Sequence, residues 1–500
     1  MSIPFKIDRF DLGMTNNIRD TFGMSPITKN FDTISKKNAL IPYRQSETGD
    51  DTASTRQITQ MVQYDDVSGN TYVYGLGKDP SNEYVKIFKK SDFTDATWSA
   101  PANGASASGN REQNVLVEYH GFLYGLRAGT SVWKADVAAA SAFTEADAAI
   151  TYTSAAQGLV HSRDDILYIP YYDSATGNAA IAKNNSGAWT ATALQLPKFK
   201  IPIGLCEDGN YLGCGARPAS GIGRSTYYLW DRDSSLTTLS DKIDFGYGSL
   251  QVIEKIDGVT FGVSVVGDST NGSKYRMIVR YWDGSGSEAQ FMAQFDFDGV
   301  PTVYGKQKVD KKILFSVIGT INGEVMDGLW AISKNKNGTY AVTFDRLVNN
   351  DTGLTSSKFI KGFFQLGDIV FISYQSSGTF GMSKTDDQAT YNSTSIYETT
   401  VFDAGDKRNR KDLIGITVTT EPLPTNGSYT IKYKADADSS WTTIFTESTD
   451  NSISHSAINI ESTGAQLPSG KELRFRIEST GGAVITSLYG EVGVAKDDLY

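Results

Sequence analysis

The sequence predicts an all-β protein: a seven-bladed β-propeller preceded by an extended N-terminal arm and followed by a C-terminal β-sandwich. Three observations predict it. A short apolar strand, entered from a polar turn, recurs seven times. The chain is rich in Tyr (26), Phe (24) and Gly (48), the mixture of aromatic strands and glycine turns that all-β folds use. Beyond about residue 400 the pattern changes to strict two-residue alternation.

The seven copies are Thr71–Leu76, Gly121–Leu126, Asp165–Pro170, Gly209–Cys214, Gly258–Val263, Lys312–Val317 and Asp368–Ser373. Aligned on Tyr74, Tyr124, Tyr168, Leu212, Phe261, Phe315 and Phe371, they stand 50, 44, 44, 49, 54 and 56 residues apart. A period near 40–50 residues marks repeat architectures. Each copy is preceded by a first strand: Ile58–Tyr64, Asn114–Tyr119, Gly158–His161, Ile203–Glu207, Leu250–Lys255, Val303–Val309 and Phe359–Gln365. A third strand follows, as in Ala179–Lys183, Arg276–Trp282 or Gly328–Ile332, and then a weaker fourth, as in Ala188–Leu194 or Tyr340–Phe344. Four antiparallel strands per repeat is the propeller blade. A solenoid is the alternative, but its repeats are usually shorter or helical, and no 3.6-residue period is visible.

The domains expected are 1–50 (arm), 51–397 (propeller) and 398–500 (sandwich). The arm is polar, with sparse apolar anchors at Phe5, Ile7, Phe10, Phe31 and Leu40–Tyr43, and is expected to lie on a neighbour. Asp32–Ser35 and Leu40–Pro42 are candidates for an outer strand that closes the last blade. In the sandwich, Tyr429, Ile431 and Tyr433 face one way and Thr430, Lys432 and Lys434 the other, the mark of a half-buried strand.

The net charge is −10 and the pI about 5.0, which argues against nucleic acid as a general partner. No apolar run reaches the ~18 residues of a membrane span, and Met1–Asp8 has no apolar core of a signal peptide. Taking Asp208-Gly209 as a tight turn places Cys206 opposite Tyr211 and Cys214 opposite Ile203, so the two cysteines are expected to be free buried thiols.

Candidate sites are sparse. Ser91–Trp98 and Lys384–Tyr391 approach the Ser-x-Asp-x-Gly-x-Thr-Trp box of sialidase-type propellers without matching it. Asp436, Asp438, Ser440 and Glu447 have calcium-loop spacing, but Trp441 stands where glycine is required. The expectation is a polar turn followed by a core tryptophan. His120 and His161 close the first strands of neighbouring repeats, too few ligands for a metal, and His455 stands alone. Gly221–Arg224 lies between strands and makes a poor phosphate loop. Tyr171-Tyr172 and Tyr227-Tyr228 each offer one residue to the core and one to a sugar or protein partner. No catalytic, cofactor-binding or metal-ligating residue is assigned, and no enzymatic activity is expected.

Two flanking stretches carry a family resemblance. Phe10–Asn17, Asn30–Thr33 and Leu40–Arg44, together with Val401–Gly405, Lys411–Leu413, Tyr429–Lys434 and Trp441, resemble propeller-containing virion proteins of tailed bacteriophages. The resemblance implies a structural nozzle, tip or hub-associated ring subunit. It would partner other tail proteins and copies of itself, assemble in the host cytoplasm, and serve virion assembly, host attachment or genome delivery. A carbohydrate-binding adhesin that recognises a host-surface glycan is the alternative, and a glycoside hydrolase built on a propeller is a third reading.

Overall fold

The computed structural model describes residues 2–15, 24–36, 38–43, 47–48, 57–78, 85–90, 115–127, 129–137, 143–221, 223–233, 239–268, 274–335, 337–348, 359–367, 369–377, 379–385, 391, 394–458 and 468–494. Every regular element among them is a β-strand. The chain divides into two compact units. One comprises residues 47–327 and 354–386, the other residues 1–46, 328–353 and 387–500.

The larger unit is a succession of antiparallel sheets, and each of the seven recurring strands is the second strand of its sheet. The fourth sheet is representative: Lys200–Asp208, Tyr211–Pro218, Arg224–Trp230 and Asp241–Tyr247 pair in chain order. The fifth repeats it with Ser249–Ile256, Val259–Asp268, Lys274–Trp282 and Gln290–Phe297. Tight turns join first and second strands. Asp257 and Gly258 both take positive φ (+48° and +83°), the backbone of a type I′ hairpin, whose twist matches the flanking strands.

The first strands neighbour one another in cyclic order. Gln57–Asp65 lies beside Val117–Tyr119, then come Leu159–His161, Lys200–Asp208, Ser249–Ile256, Thr302–Val309 and Phe359–Leu366, and the last lies beside the first. The Ile58 amide donates to Ser373 Oγ (3.1 Å) across that closing contact. The closing outer strand is Glu47–Thr48, which pairs with Lys384 and Ser383 in the sheet of Phe359–Leu366. This corrects the expectation that Asp32–Ser35 or Leu40–Pro42 would close the last blade. Phe31–Asp32 pairs instead with Ile41–Pro42, and Phe31 and Leu40 are fully buried in the smaller unit. Large apolar side chains go to a core, while the polar Glu47-Thr48 suits an exposed sheet edge.

Each sheet of the larger unit packs on both faces. Tyr171 and Tyr172 enter two different cores, as do Tyr228 and Tyr227. All four are buried, which corrects the expectation that one of each pair meets a ligand. The cysteine register also shifts by one. The turn residues are Gly209 (φ +61°) and Asn210, so Cys206 faces Gly213 and Cys214 faces Leu205. Both thiols are free and buried.

The smaller unit holds two five-stranded sheets on one core. Ser2–Ile7, Ile485–Val494, Lys411–Thr420 and Ser454–Ile458 pair in that order, with Ser469–Gly470 also on Lys411–Thr420. The second sheet runs Thr28–Lys29, Ser395–Glu398, Leu473–Thr480, Ser428–Ala435 and Thr442–Glu447. Phe5, Ile7, Phe10, Phe31 and Leu40 of the arm share the core with Ile416, Tyr429, Phe475 and Leu488. The arm therefore folds back into its own chain. This unit also holds the hairpin Gly328–Lys334/Tyr340–Leu347, the expected third and fourth strands of the sixth repeat. Met14 donates to Val342 O (2.9 Å), and Asn335 Nδ2 to Asp11 O (3.2 Å), tying the arm to that hairpin.

Candidate ligand-binding site

Five of the seven first strands share a defect. Their pairing with the second strand slips between Ile58 and Gln60, Pro202 and Gly204, Leu250 and Val252, Tyr304 and Gln307, and Ile360 and Gly362. A bulge leaves residues unpaired and re-aims side chains, and such bulges favour barrel rims and sites. Here they lie near the start of those five strands, where a cavity of about 150 Å³ opens, lined among others by Gln60, Gln157, Ile203, Arg217, Gln251, Tyr304 and Lys306.

Side chains also complete the backbone of neighbouring first strands. Gln157 grips Leu116, donating from Nε2 to its carbonyl (2.5 Å) and accepting its N–H at Oε1 (3.3 Å). Gln307 does the same for Gln365, at 3.0 and 2.7 Å. Lys306 reaches further: its ammonium donates to Ile253 O (2.8 Å), to Glu254 Oε2 (2.7 Å) and to Leu205 O. It thereby ties its own strand to the first strands of two neighbouring sheets, and Glu254 neutralises it.

Arg217 differs. Nη1 donates to Ser249 Oγ (3.2 Å) and to Gln251 Oε1 (3.4 Å), both neutral. Gln251 is itself held by its Nε2 on Ser249 Oγ (2.9 Å). Burial pulls the guanidinium's pKa down from its ordinary value. Among the described residues no carboxylate pairs with Arg217, and no Asp or Glu lines the cavity. The site thus offers one uncompensated guanidinium, with five donors in a planar fork, among carboxamides that both donate and accept. Two-carboxylate glycoside hydrolysis needs a pair of acids, which this lining lacks.

The other candidates have local partners. His120 Nε2 lies 2.6 Å from Asp165 Oδ2, and the imidazole stacks on Tyr119. Buried His161 accepts the Arg163 N–H at Nδ1 (3.3 Å), with Arg232 Nη1 also 3.3 Å away. Its proton is therefore on Nε2, donated to Tyr211 O (3.2 Å). His455 Nδ1 meets Glu447 Oε2 at 2.6 Å. Asp436 Oδ1 accepts the amides of Lys471 and Glu472, and Asp438 Oδ2 that of Ala435. The calcium-like spacing thus serves backbone capping, and no cluster of metal-ligating residues forms among the described residues. Trp441 is half-buried, not core as expected: Lys434, Arg474 and Arg476 stand 4.9, 5.5 and 5.8 Å from its ring centre. Arg224 is held by Asp244. Ser91–Trp98 lies outside the described residues, as do residues 386–390 of the second near-box.

Sequence reasoning missed the cavity residues. Their one signal is a polar side chain inside an apolar run, as with Gln251 in Leu250-Gln251-Val252-Ile253.

No protein family matches the chain, and comparison with curated proteins found no match in sequence. Some solved structures do match, at low TM-score. One is an exo-β-1,3-galactanase from Phanerochaete chrysosporium with galactose (12% identity, 89% of this chain and 100% of that one, TM-score 0.34). A second is an ulvan lyase of a polysaccharide lyase family (10%, 69% and 98%, TM-score 0.40). A third is the Dos1 propeller (11%, 72% and 94%, TM-score 0.38). The expectation that the chain has no enzymatic activity is withdrawn, since structures of enzymes stand among those that match; a likeness at this level assigns no activity to this chain. Likeness at this level brings no residue role with it.

Proposed function

We propose that residues 47–327 and 354–386 belong to a seven-bladed β-propeller whose central cavity binds a carbohydrate. The observation that carries this reading is the cavity itself: Gln60, Gln157, Gln251 and Arg217 share its lining where the bulged first strands begin. Carboxamides donate and accept at once, as a sugar's hydroxyls do, and a few placed polar groups in a concave site fix a ligand's orientation. A glycan array probed with the purified protein tests it. Specific hits are expected, lost on replacing Gln60 and Gln251 with Ala. A blank array from a folded protein would end this reading. Incubating each hit with the protein and assaying new reducing ends or unsaturated products shows whether the bound glycan is also cleaved.

A second reading concerns where the protein works. The segments that resemble phage virion proteins, Phe10–Thr15, Asn30–Thr33 and Leu40–Tyr43 at one end and Val401–Gly405, Tyr429–Lys434 and Trp441 at the other, fall in one compact unit. That supports treating both flanks as one module of a tail subunit, which would assemble with copies of itself and with other tail proteins. Mass spectrometry of purified virions tests this, and absence of the chain from particles would refute it.

A further inference from the structure

The strand end at which the cavity opens carries more than polar groups. Two aromatic side chains stand exposed at equivalent positions in consecutive sheets, just ahead of the first strands: Phe199 before Lys200–Asp208 and Tyr247 before Ser249–Ile256, at 62% and 49% exposure. Both belong to the strand end at which the cavity opens, outside the residues that line it. Arg217 faces Ile201 across the hairpin, two residues on from Phe199. It donates to Ser249, two residues on from Tyr247.

Phe199 is held in place against its own preference. Its φ is +58°, a conformation that a bulky residue rarely adopts. Its N–H donates to Gly177 O and its carbonyl accepts from Ala219, both at 2.9 Å. Its ring lies on Gly177, where an added Cβ would stand 2.5 Å from Phe199 Cε1. Strain of this kind persists where the surroundings over-determine it, and it clusters at binding sites.

We propose that this strand end binds an acidic polysaccharide, with a sugar carboxylate on the Arg217 fork and neighbouring pyranose faces on Phe199 and Tyr247. The inference rests on the carbohydrate reading of the cavity and adds the charge of the sugar. In a protein of net charge −10, a lining with Arg217 and Lys306 and no acid is a local reversal of sign. Lys306 is compensated by Glu254, which leaves the guanidinium as the anion's partner, and its fork matches a carboxylate's two oxygens.

The test is calorimetric titration of the full chain with oligogalacturonate and oligoglucuronate against neutral oligomers of galactose and glucose of equal length. An acidic oligomer is expected to bind at least about tenfold tighter than its neutral counterpart. Arg217→Gln should weaken that binding about tenfold to hundredfold, the worth of a hydrogen bond to a charged group. Arg217→Lys, which keeps the charge without the fork, should fall between, and Phe199→Ala should weaken it about twofold to tenfold. Thermal melts show that each variant is folded. Neutral oligomers binding as well as acidic ones, or Arg217→Gln binding as wild type does, would overturn the carboxylate assignment and leave the carbohydrate reading standing. Displacement by inorganic phosphate at the same concentration as the oligomer would reassign the site to small anions. No binding by any oligomer, together with a blank glycan array, would remove both.

Discussion

The Lys306 ammonium lies 2.7 Å from the Glu254 carboxylate, with 13% and 12% of the two side chains exposed, and the same nitrogen serves two backbone carbonyls. Lys306→Met would leave the Glu254 carboxylate without its counter-charge and take one donor from each of the two carbonyls. Removing one partner of a buried pair costs about 3–5 kcal/mol, and the residual exposure brings the expected loss to about 2–4 kcal/mol. Adding Glu254→Gln should recover part of it. Urea denaturation measures both, and a single-variant loss below about 0.5 kcal/mol would show that the contact is not stabilising.

The arm strand makes a sharper prediction. A Cβ on Gly490 would stand 2.1 Å from Phe5 Cζ, and the Phe5 ring stacks on Phe475 at 5.2 Å. Gly490→Ala should cost about 1–3 kcal/mol through overpacking, and Phe5→Ala about 3–5 kcal/mol through the cavity it leaves. In the Phe5→Ala background the Gly490 change has nothing to strike, so the double variant should fall well short of the sum. Strict additivity would mean that the two residues do not meet.

Cysteine chemistry follows from burial. Desolvation is the largest cause that pushes the Cys206 thiol up to about 12, and it drives Cys214 upward too. Only the thiolate reacts, so at pH 9 about one Cys206 in a thousand would be ionised. A thiol reagent is expected to find no reactive cysteine in the native protein and two after denaturation. Rapid labelling of the native chain at pH 8 would contradict this.

Glu447 carries an acid dependence. Hydrogen bonds from Thr449 come first and the His455 contact later among the causes that hold its pKa below the usual value. A depressed folded-state pKa adds stability above the unfolded value of about 4.3, and that stability is lost as pH falls through the folded value. Between pH 7 and pH 3 the smaller unit should lose stability, and Glu447→Gln should lose less over the same interval. Parallel losses in the two proteins would show that other carboxylates account for the effect.

The recurring strands were legible because a tight turn and an apolar run are both local signals, and all seven became second strands. Register was less legible. A turn through Gly209-Asn210 and one through Asp208-Gly209 differ by one residue, and that moves each cysteine to a different partner. The bulges carry no compositional mark, since Thr59, Ile203 and Gln251 have nothing in common. Ile3, Phe5 and Ile7 alternate as a strand should, but their partners Val492, Gly490 and Leu488 lie at the opposite end of the chain. The cavity was hidden for a related reason: Gln60, Gln157, Arg217 and Gln251 sit on four different sheets, and only the cyclic neighbourhood of the first strands brings them together.

The pairing of Ser2–Ile7 with Ile485–Val494 has a consequence for biosynthesis. At about 5–20 residues per second, some 25–100 s separate the two strands on the ribosome. During that interval Phe5, Ile7 and Phe10 have no completed core to enter, whereas the sheets of the larger unit can form one after another as they emerge. This strand is buried only once its distant partner has been made. Stalled or truncated chains would therefore display those three side chains, a ready mark by which chaperones and proteases could tell an unfinished product from a finished one.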